Sequence, residues 1–155
     1  MNDMTIITGK SRKEVLNYLE SRFGIEKEVF KDHVFVKKGK KIWITNEDVV
    51  SRKYKKIPIE SIGMVLIRLQ KNGMKMTTNA AQIFGKYATK NVINLSKTQA
   101  HKILQGFNLD NLKTDVEDGY VMLKYSDYIL GVGLKRDRFL MNMIPKSRII
   151  PIESL

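Results

Sequence analysis

The chain has 155 residues, and its 28 Lys and Arg against 16 Asp and Glu give a formal net charge of +12. This length allows one ordinary domain or two very small ones, which excludes a cofactor-binding enzyme with separate catalytic and substrate domains. The absence of Cys excludes a disulfide framework, a thiolate zinc site and a Cys nucleophile.

The N-terminal third predicts a small α/β unit. After a short strand, Ser11 and Glu14 form an S-x-x-E capping box that predicts the start of a helix, and Gly24 predicts its end. Residues 33–45 alternate apolar and basic side chains around a lysine-glycine turn, which indicates a β-hairpin. We therefore predict an N-terminal α/β subdomain over residues 1–57.

The pattern of short elements restarts in the second part of the chain. A short helix is predicted to begin at Thr78, and a second capping box, Ser96 with Gln99, predicts the start of another helix. From Gly119 onward the chain alternates like an antiparallel meander. The prediction is an α+β protein in which residues 58–155 form a second, mixed β-barrel with short helices.

The positive charge is concentrated in two segments. Residues 33–56 carry eight basic side chains against two acidic ones, and residues 135–148 carry five against one. Lys-rich turns can serve solubility alone, but two such segments favour a polyanionic partner. The candidate phosphate contacts in these segments are Lys53, Lys55, Lys56, Lys135, Arg136, Arg138, Lys146 and Arg148.

A third candidate segment follows the first helix of the second part and interleaves basic and aromatic side chains. Lys86 and Lys90 could contact phosphates, Tyr87 could stack on a base, and Asn91 could donate a hydrogen bond to a ribose hydroxyl. Packing in the core is the alternative for Tyr87. This third segment therefore adds four candidate RNA-binding residues to those of the two charged segments.

No combination of residues in the sequence forms a catalytic constellation. His33 and His101 are the only histidines, and neither has a carboxylate or a second histidine at ligand spacing. The segment from Thr8 to Ser11 resembles the end of a phosphate-binding loop, but Met4 occupies the position that requires glycine. We expect no catalytic residue, no metal site and no cofactor.

Four segments together resemble the PUA-like RNA-binding domain. They are Thr77 to Asn91, Gly119 to Tyr125, Leu130 to Leu134 and Ile144 to Arg148. More specifically, residues 62–150 resemble the C-terminal PUA-like module of RNA cytosine-5 methyltransferases of the nucleolar-protein/Sun family, and residues 1–56 resemble the small α/β segment before it. The resemblance implies RNA binding. It also implies an upstream methyltransferase domain, for which this chain has no room, and catalytic cysteines, which it lacks.

We therefore expect an RNA-binding protein that is not itself an enzyme and acts as an accessory factor in rRNA or tRNA modification and ribosome biogenesis. It is expected to recognise structured RNA through its basic surface. Because residues 1–13 lack a signal-peptide segment, a cytoplasmic protein without membrane contact is expected. A protein adaptor for a separately encoded RNA-modifying enzyme or assembly factor is the alternative, with Met122, Met141 and Met143 as a contact surface or as core filling. A small enzyme acting on RNA is the third interpretation.

Overall fold

The computed structural model describes residues 4–48 and 59–148 of the chain. An antiparallel sheet with one long helix is followed by a mixed four-stranded sheet with short helices. The predicted α+β class is confirmed. Within the two described ranges, no helix has the length and apolar character needed to cross a membrane.

Five antiparallel strands form the first sheet in chain order: β1 (Met4–Ile7), β2 (His33–Lys38), β3 (Lys41–Asn46), β4 (Met64–Gln70) and β5 (Gly73–Met76). The predicted hairpin is β2 with β3. Strand β4 pairs with β3, and Ile42 lies opposite Ile67, so this sheet includes strands from both sides of residue 58. The division of the chain between residues 57 and 58 stays a prediction.

Helix α1 (Gly9–Phe23) packs its buried face on the first sheet through Val15, Leu19 and Phe23. It begins at Gly9, two residues before Ser11, and Thr8 is its N-cap. The predicted capping box of Ser11 and Glu14 is therefore wrong, because both residues already lie inside the helix. The predicted end is confirmed, since Gly24 caps the helix in the left-handed conformation at φ 67°.

The second sheet has the strand order β6 (Val92–Asn94), β7 (Gly119–Tyr125), β8 (Tyr128–Arg136) and β9 (Phe139–Asn142). Strand β6 is parallel to β7, and β7 to β9 form the predicted antiparallel meander. The short helices are α2 (Ile59–Ile62), α3 (Thr78–Phe84) and α4 (Lys97–Leu104), and 3-10 turns lie at Lys27–Phe30, Gly85–Tyr87 and Lys146–Arg148. At the start of α4 both hydrogen bonds of the predicted Ser96 and Gln99 capping box are present.

One large core joins the two sheets. It includes Phe23 and Phe35 from the N-terminal part together with Phe84, Met122 and Val132 from the C-terminal part. A second cluster lies under α4 on the other face of the second sheet, among side chains such as those of Ile103, Leu123 and Leu140. Since α1 and the second sheet bury side chains in the same core, the position of one depends on the other.

Candidate functional site

A groove of about 1150 Å³ opens between the segment that follows α3, the turn between β7 and β8, and the C-terminal segment. Apolar side chains line part of it, including Val92, Leu104, Ile129 and Ile144. Among the described residues that line this groove, the basic ones are Lys86, Lys90, Lys124 and Arg148, and the acidic one is Asp127. The groove therefore combines apolar surface with a formal charge of +3.

The Arg148 side chain is held in place at the groove by helix α3. Its guanidinium donates one hydrogen bond to Asn79 Oδ1 and another, of 2.7 Å, to Gln82 Oε1. An arginine has five N–H donors in a planar fork, so these two bonds leave donors for an anion. The side chain is exposed and already oriented, which lowers the entropy lost when it binds.

The segment that carries Lys86 and Lys90 is attached to the end of helix α1. The backbone N–H groups of Thr89 and Lys90 donate to the Phe23 carbonyl at 2.8 and 3.1 Å, and Lys90 Nζ donates to the Ser21 carbonyl at 3.3 Å. The last carbonyls of a helix lack partners within the helix, and a positive charge there is favourable. The end of α1 therefore fixes this side of the groove.

Asn91 completes the attachment of this segment. It has a positive φ of 55°, which Asn tolerates better than most residues, and is only 8% exposed. Its Nδ2 donates to the Arg22 carbonyl at 2.6 Å, and its Oδ1 accepts a hydrogen bond from the Glu117 N–H at 3.1 Å. Asn91 lines the groove, but its side chain is engaged inside the protein.

The close contact between α1 and this segment requires a glycine at position 24. Gly24 has φ 67°, and a Cβ added there would lie 1.9 Å from Thr89 Oγ1. The Thr89 hydroxyl donates to the Gly24 carbonyl at 3.3 Å. A side chain at this position would therefore both strain the backbone and displace the neighbouring threonine.

Of the two exposed tyrosines near these segments, Tyr128 lines the groove and Tyr87 does not. Tyr87 is 44% exposed, which argues against packing in the core, and Lys86 Nζ lies 5.3 Å from the centre of its ring. Tyr128 is 71% exposed and lines the groove at the turn between β7 and β8. The sequence analysis missed Tyr128 and Lys124, although this turn repeats the interleaving of basic and aromatic residues that singled out Tyr87.

Two family models match the chain. Residues 90–150 match the model described as Methyltransferase RsmF PUA domain. Residues 90–150 are therefore similar to an RsmF-type PUA domain, and this region is named the PUA domain. Residues 2–63 match a family of unknown function, DUF7122, and no methyltransferase domain is matched. A search of curated proteins found none that matches the chain. The predicted resemblance is thus confirmed, and Lys90, Lys124 and Arg148 of the groove belong to the PUA domain.

Other candidate residues of the PUA domain lie at the far end of its sheet. Lys135 is 6% exposed, and its Nζ is 2.7 Å from Asp118 Oδ1. Hydrogen bonds from Lys135 and from the Asp137 N–H hold the pKa of Asp118 below its ordinary value. Arg136 and Arg138 are exposed at the turn between β8 and β9. Leu130 is the last residue of β8 in the groove lining, and Arg136 lies six residues further along the strand, so about 20 Å of strand separates this turn from the groove.

One of the remaining candidates lies in the C-terminal segment, and three lie outside the described residues. Lys146 is exposed in the same 3-10 turn as Arg148, beside the groove. Lys53, Lys55 and Lys56 lie outside the described residues. The structure thus brings Lys86, Lys90, Asn91 and Arg148 together, and their contacts with RNA stay predictions. Within residues 4–48 and 59–148, no group of three or more His, Asp or Glu side chains could hold a metal ion.

Proposed function

We propose that the protein binds structured RNA in the groove of its PUA domain and acts as an accessory factor in rRNA or tRNA modification and ribosome biogenesis. A PUA domain of the RsmF type suggests RNA binding in the context of RNA modification. The observation that carries the proposal is the groove itself, where four basic side chains surround apolar surface and an exposed tyrosine. These are the groups that contact phosphates and stack on bases.

Each side chain has a distinct role in this proposal. Arg148 binds a phosphate with the guanidinium donors that Asn79 and Gln82 leave available, in a planar geometry that lysine does not offer. Lys86 and Lys124 supply positive charge without a fixed direction, whereas the Lys90 charge is held at the end of α1 by its hydrogen bond to the Ser21 carbonyl. The Tyr128 ring provides a face for an unpaired base. Recognition therefore depends on the shape of an RNA with an exposed loop or bulge.

We also propose that the chain does not carry out the modification by itself. Cytosine-5 methyl transfer in the family that the sequence resembles depends on catalytic cysteines, and the sequence contains no Cys. The groove offers cations, amides and the aromatic ring of Tyr128, which are groups for binding. A separately encoded enzyme would then act on the RNA that this protein holds.

The test is a titration of a fluorescent hairpin RNA at several salt concentrations. Contacts to four phosphates predict a log–log slope of roughly −3 to −4, and the K86Q/K124Q variant should lower its magnitude by about 1.5. Within residues 4–48 and 59–148 neither lysine side chain has an ion pair, and Lys86 contacts only the exposed ring of Tyr87, so we expect folding to be unaffected. The matched control is K97Q/K113Q, which removes two exposed charges outside the groove. Binding that is insensitive to salt, or equal losses in both variants, would refute the proposal.

The adaptor alternative has one observation in its favour. On β9, which pairs in the sheet only with β8 among the described strands, Phe139 and Met141 are 38% and 44% exposed. Of the methionines that suggested a contact surface, Met122 is fully buried and Met143 is half-buried, so only Met141 is well exposed. Purification from the native cell distinguishes the two functions. RNA that copurifies without a stoichiometric protein supports the RNA-binding function. A stoichiometric protein that copurifies with the wild type but not with F139S/M141S supports the adaptor.

A further inference from the structure

Four basic side chains form a row across the first sheet. Lys38 on β2 is paired with Lys41 on β3, Lys41 with Arg68 on β4, and Arg68 with Lys75 on β5. Residues directly opposite each other on neighbouring strands project to the same face of a sheet. These four residues, which we name the basic row, therefore share one face and span about 14 Å across strands spaced about 4.8 Å apart.

The basic row lies on the face of the sheet that is turned away from the main core. Ile42 and Ile67 project into that core, whereas Trp43 forms a small cluster with Val36 and Ile59 on the opposite face. Alternation along β3 places Lys41 on the same face as Trp43. The basic row therefore lies next to this small cluster, on the same outer face of the first sheet.

The arrangement of the basic row does not stabilise the fold. Like charges on directly opposite strand positions repel each other. Glu60 pairs with Lys38, whose Nζ is 2.5 Å from Glu60 Oε1. In the described parts of the chain, Lys41, Arg68 and Lys75 have no ion pair within 4.0 Å. Burial and the Arg68 charge lower the pKa of Lys75. Three of the four cations therefore lack a counter-ion among the described residues, and Lys75 Nζ lies 6.0 Å from the centre of the Tyr120 ring. This arrangement fits an external polyanion better than a structural role.

The basic row is continuous with the groove of the PUA domain. A second cavity, of about 440 Å³, is lined by Arg68 and Lys75 of the row and also by Arg148. Arg148 in turn lines the groove. One arginine therefore faces both cavities, and positive side chains extend from the first sheet to the groove.

We propose that the basic row is a second RNA-binding site, which holds the phosphate backbone of an RNA whose exposed element occupies the groove. This proposal rests on the proposed function, because the same RNA contacts both surfaces. A single small anion would not use four cations in a line, whereas a phosphate backbone presents charges in series. Contacts to phosphates alone carry no sequence information, so the row would recognise the length and direction of the RNA backbone and not its base sequence.

The test compares two RNAs, a short hairpin that fills the groove and the same hairpin with an extended duplex stem. The row variant is K41Q/R68Q, the groove variant is K86Q/K124Q, and K97Q/K113Q is the control with an equal change of charge. We expect K41Q/R68Q to weaken binding of the long RNA roughly tenfold or more at 0.1 M salt and to lower its salt slope by about 1.5. Binding of the short hairpin should change less than about twofold, since its phosphates reach only the groove.

Thermal unfolding provides an independent readout. Removing opposed cations relieves their repulsion, so K41Q/R68Q should keep the midpoint of the wild-type protein or raise it. Weaker binding by a protein of equal or greater stability excludes misfolding as the cause. A lower midpoint would overturn the argument that the row is unfavourable for the fold.

Failure of the two proposals can be told apart. Absence of wild-type binding to either RNA refutes both. Weaker binding of both RNAs by the groove variant, with normal binding of the long RNA by K41Q/R68Q, refutes the basic row alone. Binding of poly-glutamate is the remaining comparison. If the wild type binds poly-glutamate, and K41Q/R68Q loses this binding but binds RNA normally, the row binds an acidic protein segment and the proposal is wrong.

Discussion

Replacing Gly24 with alanine tests whether the end of α1 positions the groove. An alanine in the left-handed conformation costs about 1–2 kcal/mol. The new Cβ would lie 1.9 Å from Thr89 Oγ1, so Thr89 must move and its hydrogen bond to the Gly24 carbonyl is lost. That bond contributes about 0.5–1.5 kcal/mol, which brings the expected loss to about 1.5–3.5 kcal/mol. For a chain of this length the thermal midpoint should fall by roughly 3–14 °C.

Gly9 provides a matched control for this substitution. It also has a positive φ, of 57°, but nothing lies within 4 Å of the position of an added Cβ. G9A should therefore show the backbone cost without displacing any neighbour. The double variant G24A/T89A removes the hydroxyl from the clash and should recover part of the loss, which a double-mutant cycle measures as a coupling energy.

RNA affinity is the second readout for G24A. Because Thr89 and Lys90 are bonded to the end of α1, a shift of this segment moves two of the four cations of the groove. Fluorescence anisotropy well below the midpoint should show weaker hairpin binding for G24A and wild-type binding for G9A. Equal stability losses and equal affinities for G24A and G9A would refute the positioning role of α1.

Two further predictions concern stability. S96A should lower the free energy of unfolding by about 1 kcal/mol, and the thermal midpoint by roughly 2–4 °C, because Ser96 caps α4. S11A should cost less than about 0.5 kcal/mol, because Ser11 lies inside α1. Equal losses for the two variants in thermal unfolding would contradict these assignments. D118N should destabilise the protein at neutral pH by removing the counter-ion of Lys135. Since folding lowers the pKa of Asp118, this contribution is complete above the ordinary pKa of an Asp and is lost as the pH falls through the lowered value. The difference in midpoint between wild type and D118N should close in acid, and a constant difference would argue against the pairing.

The sequence predicted the elements whose signals are local. The Ser96 and Gln99 capping box needs only four adjacent residues, and it forms as expected. The same spacing at Ser11 was misleading, because the pattern cannot show that the helix has already begun at Gly9. Strand β5, which contains no β-branched residue, was missed, since its extended form depends on pairing with β4.

The candidate site was predicted in part for the same reason. Lys86, Lys90 and Arg148 were identified from composition, and the fold brings them together. Composition could not show that Lys135 is buried beside Asp118, because that contact depends on how β8 and the segment before β7 meet. It also could not show the basic row, because Arg68 and Lys75 join Lys41 only through strand register.

The bonds between α1 and the groove also determine when the groove can exist. Lys90 and Asn91 each bond to residues 69 positions earlier, and Arg148 bonds to Gln82, 66 positions earlier. Contacts between distant parts of a chain form late in folding, because each must close a long loop first. During synthesis, α1 and its sheet can form while Arg148 is still absent. The groove is then complete only when nearly the whole described chain has emerged, so binding of the short hairpin, which reaches only the groove, would report that a newly made molecule has finished folding.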